Sequence, residues 1–115
     1  MSPNRGDVVL VLFPDSNLRT AKRRPALVVQ ADKLQSGLRQ TIVAMISSNL
    51  ARAGHPSRVM VSSGSTEGQQ MGLRADSVIM TDNLATVLEK EIDRSIGQCA
   101  LMSDIDQALR HTLGL

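Results

Sequence analysis

Five short runs of β-branched and other aliphatic residues, each ended by a polar turn, constrain the fold of this chain more than any other feature. Runs of this length and composition are typical of β-strands. We expect strands at residues 7–13, 25–31, 40–46, 58–63 and 77–82. The first run, DVVLVLF, lacks the polar–apolar alternation of a half-exposed strand. It therefore predicts a strand covered on both faces.

The C-terminal stretch SDIDQALRHTLGL has the clearest helical period in the chain. Its mostly apolar stripe, at spacings of three and four, consists of Ile105, Ala108, Leu109, Thr112 and Leu113. Ser103 is the predicted N-cap, Asp104 and Asp106 lie near the positive end of the helix dipole, and Gly114 is the predicted stop. Residues 86–99 are ambiguous and predict a short helical piece that runs into a last strand.

This order of elements, five or six short strands and then one packing helix, indicates a mainly β (α+β) fold. The 115 residues fit one domain spanning residues 1–115, with one core and no internal repeat. The economical architecture is a small, strongly curved antiparallel sheet, closed or nearly closed into a barrel, with the C-terminal helix packed on it.

The residue types that are scarce exclude several classes of site. One Phe and no Tyr or Trp predict an aliphatic core and no aromatic platform for stacking bases. The single Cys99 excludes an intrachain disulfide or a cysteine zinc site. A glycine-rich phosphate loop and a histidine pair at metal spacing are both missing, so we expect no cofactor and no metal. The N-terminus MSPNRGD lacks a signal-peptide core and no apolar run could span a bilayer, which predicts a cytoplasmic protein without a membrane partner.

Positive charge is concentrated in the first half of the chain. Residues 1–60 hold nine Lys or Arg and three Asp or Glu, a net of +6, whereas residues 61–115 hold four and eight, a net of −4. Such asymmetry indicates a polyanionic partner, or a separate partner surface on each half. The alternative is that the fold mixes both halves over one surface, so that no patch forms.

The stretch RTAKRRPALVV crowds cations against the start of the second predicted strand: Arg19, Lys22, Arg23 and Arg24. Ser47 and Ser48 end the third strand. In a meander of short strands these ends can meet at one rim, where a guanidinium fork and a hydroxyl would bind a phosphate. Neither feature is specific alone, because Arg before Pro and a Ser-Ser-Asn strand exit are both common.

Five segments resemble the MazF/PemK family of toxin endoribonucleases, in the family's order. They are RGDVVLVLFP (5–14), RRPALVV (23–29), TIVAMISSNL (41–50), GLRADSVIMTDNLATV (72–87) and DQALRHTLGL (106–115). The resemblance implies a small SH3-like, CcdB-like barrel with a C-terminal helix. It also implies a homodimer that cuts single-stranded RNA without metal and is held inactive by a cognate antitoxin. Contact with DNA would be indirect, through the antitoxin.

Three catalytic positions carry over from the resemblance. Arg24 matches the arginine of the family's Arg-Pro block, and Ser47 matches a hydroxyl that is usually Thr. Asp82, in DNLAT, matches the Asp of a D-Q-x-R-T segment. Two departures follow. Ser47 keeps the hydroxyl of the usual Thr and loses its methyl group. In the segment of Asp82, Ala85 replaces the arginine, and Met80 stands where some relatives carry an Arg.

The chemistry implied by the resemblance is attack of the RNA 2′-OH on its own 3′-phosphate, which leaves 2′,3′-cyclic phosphate and 5′-OH ends. Arg24 would stabilise the phosphorane, and either Asp82 or His55 could be the base. The residues predicted to line the RNA path are Arg19, Lys22, Arg23, Ser48, Asn49, Arg52, His55 and Arg58. For each of Arg19, Lys22, Arg52 and Arg58, a solvated surface role is the alternative.

Two other functions remain open on the sequence. An SH3-like barrel that only binds a partner would account for the departures at Ser47 and Ala85. A toxin of the same fold that poisons DNA gyrase would need an aromatic C-terminal end, and HTLGL contains neither Trp nor Phe. The sequence therefore favours the RNA-cleaving toxin.

Overall fold

Six antiparallel strands and a C-terminal helix dominate the computed structural model, which describes residues 2–14 and 19–115. In chain order the elements are β1 (Asp7–Pro14), β2 (Ala21–Val28), β3 (Gln40–Ser47), β4 (Arg58–Val61), α1 (Thr66–Gln70), β5 (Ser77–Leu88), β6 (Ile92–Gln98) and α2 (Met102–Leu113). Single 3-10 turns at Leu50–Arg52 and Glu89–Glu91 precede β4 and β6.

The strands form one curved sheet in the order β4-β5-β3-β2-β1-β6, and every neighbouring pair is antiparallel. Within the described residues β4 and β6 are the two edges, so the sheet is open. The predicted mainly β fold, with a curved antiparallel sheet and a C-terminal helix, is confirmed.

Both faces of the central strands are buried, in two aliphatic clusters. On one face Val8 and Leu27 pack beneath Ile105 of α2. On the other face Val9 and Val28 belong to the second cluster. Alternation along β1 sends successive valines to opposite faces, which confirms that the first strand is covered on both sides.

Two strands differ from their predicted bounds by more than two residues: β2 begins four residues earlier and ends three residues earlier, and β5 ends six residues later. β2 begins at Ala21, because its ladder with β1 continues through Lys22, Arg23 and Arg24. These cations therefore lie inside the strand. β5 runs to Leu88, paired with the start of β3. The ambiguous segment 86–99 contains the end of β5 and then the predicted short helical turn and last strand.

The helix α2 begins two residues earlier than predicted. Leu101 occupies the N-cap position, because its carbonyl accepts the first helical bond from the N–H of Ile105. The side chain of Leu101 makes no capping bond. The prediction of Ser103 as the N-cap was therefore wrong. Gly114 ends the helix at φ +70, as predicted. Neither α2 nor any other helix in the described ranges is long and apolar enough to cross a membrane.

Candidate functional site

A cavity opens where β2 and β3 separate. Their pairing ends at Ala26 opposite Met45, although β2 extends back to Ala21 and β3 extends on to Ser47. The diverging strand ends border a cavity of about 940 Å³. Arg24, inside β2, and Ser47, at the end of β3, both line it, so the structure brings together the two residues that the sequence placed at one rim.

Arginine dominates the polar lining of this cavity. Five guanidinium side chains border it, from Arg23, Arg24, Arg52, Arg74 and Arg94. Among the residues that the structure describes, no Asp or Glu lines it. Hydroxyl and amide groups complete the polar lining, from Ser47, Ser48, Asn49, Ser77, Asn83 and Ser95. This is the donor set that binds phosphate oxygens.

The hydroxyl of Ser47 is oriented by the chain that follows it. Its Oγ accepts a hydrogen bond from the backbone N–H of Asn49, at 3.1 Å. A hydroxyl that accepts this bond keeps its own O–H for another acceptor. The Asn49 side chain in turn caps the Leu50–Arg52 turn by accepting from the N–H of Ala51. Ser47 is therefore a preoriented donor at the cavity wall.

The same turn delivers Arg52 to the cavity. Its Nη1 lies 3.5 Å from the Sδ of Met80, and both residues line the cavity. A guanidinium thus lies against Met80 at the cavity wall.

A bulge in β5 separates two neighbouring polar residues. Met45 of β3 pairs with Met80, but Ala44 pairs with Leu84, so residues 81–83 are extra on β5. Such bulges turn side chains out of the regular alternation. Asn83 lines the cavity, whereas Asp82 points to Arg58 of β4.

Asp82 is held by both of its oxygens. Arg58 donates to them from Nε at 3.3 Å and from Nη2 at 2.8 Å. This fork holds the pKa of the Asp82 carboxyl below its usual range, while burial opposes that effect. The third nitrogen, Nη1, donates to the carbonyl of Arg52 at 3.1 Å. Neither Asp82 nor Arg58 lines the cavity, but Arg58 links Asp82 to Arg52, which does.

The remaining predicted residues are distributed unevenly. Arg23 lines the cavity and forms an ion pair with Asp93 at 3.1 Å. Arg19, Lys22 and Arg58 lie outside the lining, as does exposed His55. The Nδ1 of His55 accepts from the N–H of Ser57, and its ring centre lies 6.0 Å from that of His111. In the described ranges no group of three or more potential metal-ligating side chains converges.

Sequence reasoning missed Arg74 and Arg94. Arg74 lies between α1 and β5, and Arg94 lies on β6 opposite Leu10. Only the sheet order brings β6 beside β1, and no spacing in the sequence encodes that order. In the sequence, only their positive charge indicated that they could bind a phosphate, and that charge does not distinguish them from other surface arginines.

Comparison with known proteins assigns the chain to a family. Residues 4–113 match the family described as "PemK-like, MazF-like toxin of type II toxin-antitoxin system". This chain belongs to that toxin family. "Endoribonuclease MazF2" of Mycobacterium bovis is 35% identical over 107 residues, which cover 90% of this chain and 90% of that protein.

Solved structures of MazF-like toxins share the fold. A mycobacterial endoribonuclease in complex with its cognate antitoxin superposes with a TM-score of 0.75 at 22% identity, covering 99% of this chain and 97% of that one. MazF from the MazE–MazF complex of Deinococcus radiodurans superposes with a TM-score of 0.74 at 17% identity, covering 100% and 98%. The open curved sheet with its C-terminal helix is thus a MazF-like architecture.

Proposed function

We propose that this chain is the toxin of a type II toxin–antitoxin system and an endoribonuclease that cleaves single-stranded RNA by internal transesterification, without a metal ion. The proposal is supported by the family, which is described as toxins of type II toxin–antitoxin systems, and by relatives at 35% identity that are named endoribonucleases. Cleavage of messenger RNA in the cytoplasm would stop translation and growth.

The observation that carries the proposal is the convergence of Arg24 and Ser47 on one cationic cavity. The two residues come from different strands, and both border the gap where those strands diverge. A phosphodiester placed there meets a rigid guanidinium fork on one side and a preoriented hydroxyl donor on the other. Additional guanidinium groups surround the pair, so negative charge that develops on the phosphate is stabilised by groups already in place.

The proposed reaction forms one bond to phosphorus and breaks another. The 2′-oxygen attacks the adjacent phosphorus and passes its proton to His55 or to solvent, while the bond from phosphorus to the 5′-oxygen breaks and that oxygen takes a proton from Arg24 or from solvent. The products are a 2′,3′-cyclic phosphate and a 5′-OH. Arg24 stabilises the phosphorane, and Ser47 donates to one of its non-bridging oxygens. DNA lacks the 2′-OH and would not be cut.

The contacts of Asp82 favour a positioning role over proton transfer. A carboxylate whose pKa is lowered by two bonds from Arg58 is a weaker base than a free one. Through Arg58 it instead supports the turn that carries Arg52 and the capping side chain of Asn49. We propose that Asp82 keeps these cavity residues in place. His55 remains an alternative base.

A cognate antitoxin protein is the proposed regulatory partner. The solved relatives include toxins bound to their antitoxins. An acidic antitoxin segment would match the arginine-lined cavity and exclude RNA from it. We further propose a homodimer, on the family resemblance.

The test is cleavage of a long single-stranded RNA in EDTA, with wild type compared with Arg24→Ala and with Arg39→Ala. Arg39 is exposed and lies outside the cavity, so it controls for loss of a charge. We expect cyclic-phosphate and 5′-OH ends from wild type and Arg39→Ala, and a loss of about 100-fold or more in Arg24→Ala. Loss of wild-type cleavage in EDTA would contradict the metal-free reaction. No cleavage of varied RNAs by folded wild type would favour a binding module.

A further inference from the structure

Arg74 and Arg94 enter the cavity on the side of β6. Leu10 of β1 pairs with Pro25 of β2 on one side and with Arg94 of β6 on the other. β1 therefore stands between the strand that carries Arg24 and the strand that carries Arg94. Two strand spacings separate the backbones of β2 and β6 by about 10 Å. The cavity thus has two cationic ends with Leu10 between them.

A close backbone approach fixes the position of Arg74 relative to β6. Gly72 has φ +72, and a Cβ built there would lie 2.2 Å from the carbonyl oxygen of Ile96. The backbone at Gly72 thus packs directly against β6 at Ile96. Gly72 lies two residues before Arg74, and Ile96 lies two residues after Arg94. On the other side of Arg74, the carboxylate of Asp76 is held by the N–H and Oγ of Ser63. Arg74 is therefore carried on a segment anchored at both ends.

The charge of this end is not neutralised by the protein. In the described part of the chain, neither Arg74 nor Arg94 forms an ion pair, whereas Arg23 is paired with Asp93. Since none of the described lining residues is acidic, the guanidinium groups repel one another until an anion enters. The volume of about 940 Å³ is near the upper limit of pockets that hold whole small molecules, roughly 300–1,000 Å³. One phosphate would leave most of it unfilled.

We propose that Arg74 and Arg94 form a second phosphate subsite, which binds a flanking phosphodiester of the RNA while Arg24 and Ser47 hold the scissile one. This inference rests on the proposed function and extends it. It predicts that the substrate must continue past the cut on one side, so that a dinucleotide is cleaved poorly. It also predicts that loss of the subsite raises KM more than it lowers kcat, because the flanking phosphate is bound equally in the ground and transition states.

The test uses a 2′-fluoro RNA oligonucleotide, which lacks the attacking hydroxyl and stays intact. Its affinity is measured over a series of KCl concentrations for wild type, Arg24→Ala, Arg74→Ala/Arg94→Ala and the triple variant. Loss of one neutralised phosphate makes the slope of log K against log salt shallower by about 0.7 on single strands. We expect about that change from Arg24→Ala, the same from the double variant, and the sum from the triple variant. Arg39→Ala keeps the wild-type slope.

Two results would overturn the second subsite. The double variant could keep the wild-type slope, or the triple variant could match Arg24→Ala alone, which would mean that all three arginines share one phosphate. Arg74→Lys/Arg94→Lys retains the charges and should retain the slope, so a folding defect is distinguished from lost phosphate contact. Because the probe cannot be cut, the outcome is independent of catalysis. If wild type cuts RNA but the double variant keeps the wild-type slope, only the second subsite is refuted. If the slope changes are additive but wild type does not cut RNA, only the proposed reaction is refuted.

Discussion

Arg58 donates hydrogen bonds to both carboxylate oxygens of Asp82, from Nε at 3.3 Å and from Nη2 at 2.8 Å, and its Nη1 donates to the carbonyl of Arg52. One guanidinium therefore ties the bulge of β5 to the turn that follows β3. Both oxygens of Asp82 are bonded to Arg58, whereas the neighbouring Asn83 lines the cavity. This arrangement supports the proposal that the carboxylate, which the family resemblance implies in catalysis, acts on the shape of the site.

Asp82→Asn should slow RNA cleavage by about tenfold, the effect of losing a charge-assisted hydrogen bond. Because Asp82 is proposed to position and not to take a proton, the pH–rate profile should keep its shape. Asp104→Asn, an exposed carboxylate on α2, is the matched control. The measurement is single-turnover cleavage across pH. Loss of the acidic limb, together with a fall of about 100-fold or more, would identify Asp82 as the base instead.

Ser47→Ala should reduce kcat by about 100-fold, because it removes a preorganised donor to the phosphorane. Ser47→Thr should stay close to wild type, since the threonine hydroxyl can accept the same bond from Asn49 and donate to phosphate. Ser103→Ala, on the exposed side of α2, controls for loss of a hydroxyl. A kcat of Ser47→Ala within about twofold of wild type would remove Ser47 from the mechanism.

Gly72→Ala and Gly54→Ala form a matched pair for stability. Both glycines have positive φ, but a Cβ at Gly72 meets the backbone of Ile96 and a Cβ at Gly54 meets nothing within 4 Å. Gly54→Ala should cost about 1 kcal/mol of unfolding free energy from backbone strain alone. Gly72→Ala adds a clash that rigid backbone cannot relieve, for a total of about 3 kcal/mol or more. Urea unfolding followed by circular dichroism measures both, and equal losses would contradict the close approach.

Asp76 should contribute to the acid unfolding of the protein. Hydrogen bonds from Ser63 hold the pKa of its carboxyl below the ordinary value. Because the folded pKa is the lower one, its stabilisation is full above about pH 4 and is lost as the pH falls toward the folded pKa. Asp76→Asn should therefore be less stable than wild type at neutral pH and should lose less on acidification. Urea titrations at several pH values test this, with Asp104→Asn as control. Parallel curves for Asp76→Asn and wild type would contradict it.

Most of the fold could be predicted because local patterns encode it. The β-branched runs gave β1 and β3 nearly to the residue, and the stripe through Ile105 and Ala108 gave α2. The start of β2 could not be predicted, since Lys22 to Arg24 are poor core residues and enter the strand only through pairing with β1. The order of the strands is likewise a property of tertiary packing.

The candidate site could be predicted only in part. Arg24 and Ser47 follow from strand ends and family resemblance, and the structure brings them to one cavity. The orientation of Asp82 depends on a bulge, and the Asp-Asn pair within it is equally typical of a strand end. Arg74 and Arg94 required the neighbourhood of β6 and β1. Long-range pairing, and not residue type, decides which cations face the cavity.

The bulge at residues 81–83 interrupts the pairing of β5 with β3, so the residues within it are constrained differently from those on either side. On either side of it, β5 keeps strict register with β3, so substitutions there are limited by the sheet. Within it, Asp82 and Asn83 have no partner on β3 to satisfy. Asp82 is constrained instead by its bonds to Arg58, and Asn83 by the cavity that it lines. Because the site and not the sheet sets these two residues, this short segment is a place where toxins of one fold can diverge in their chemistry.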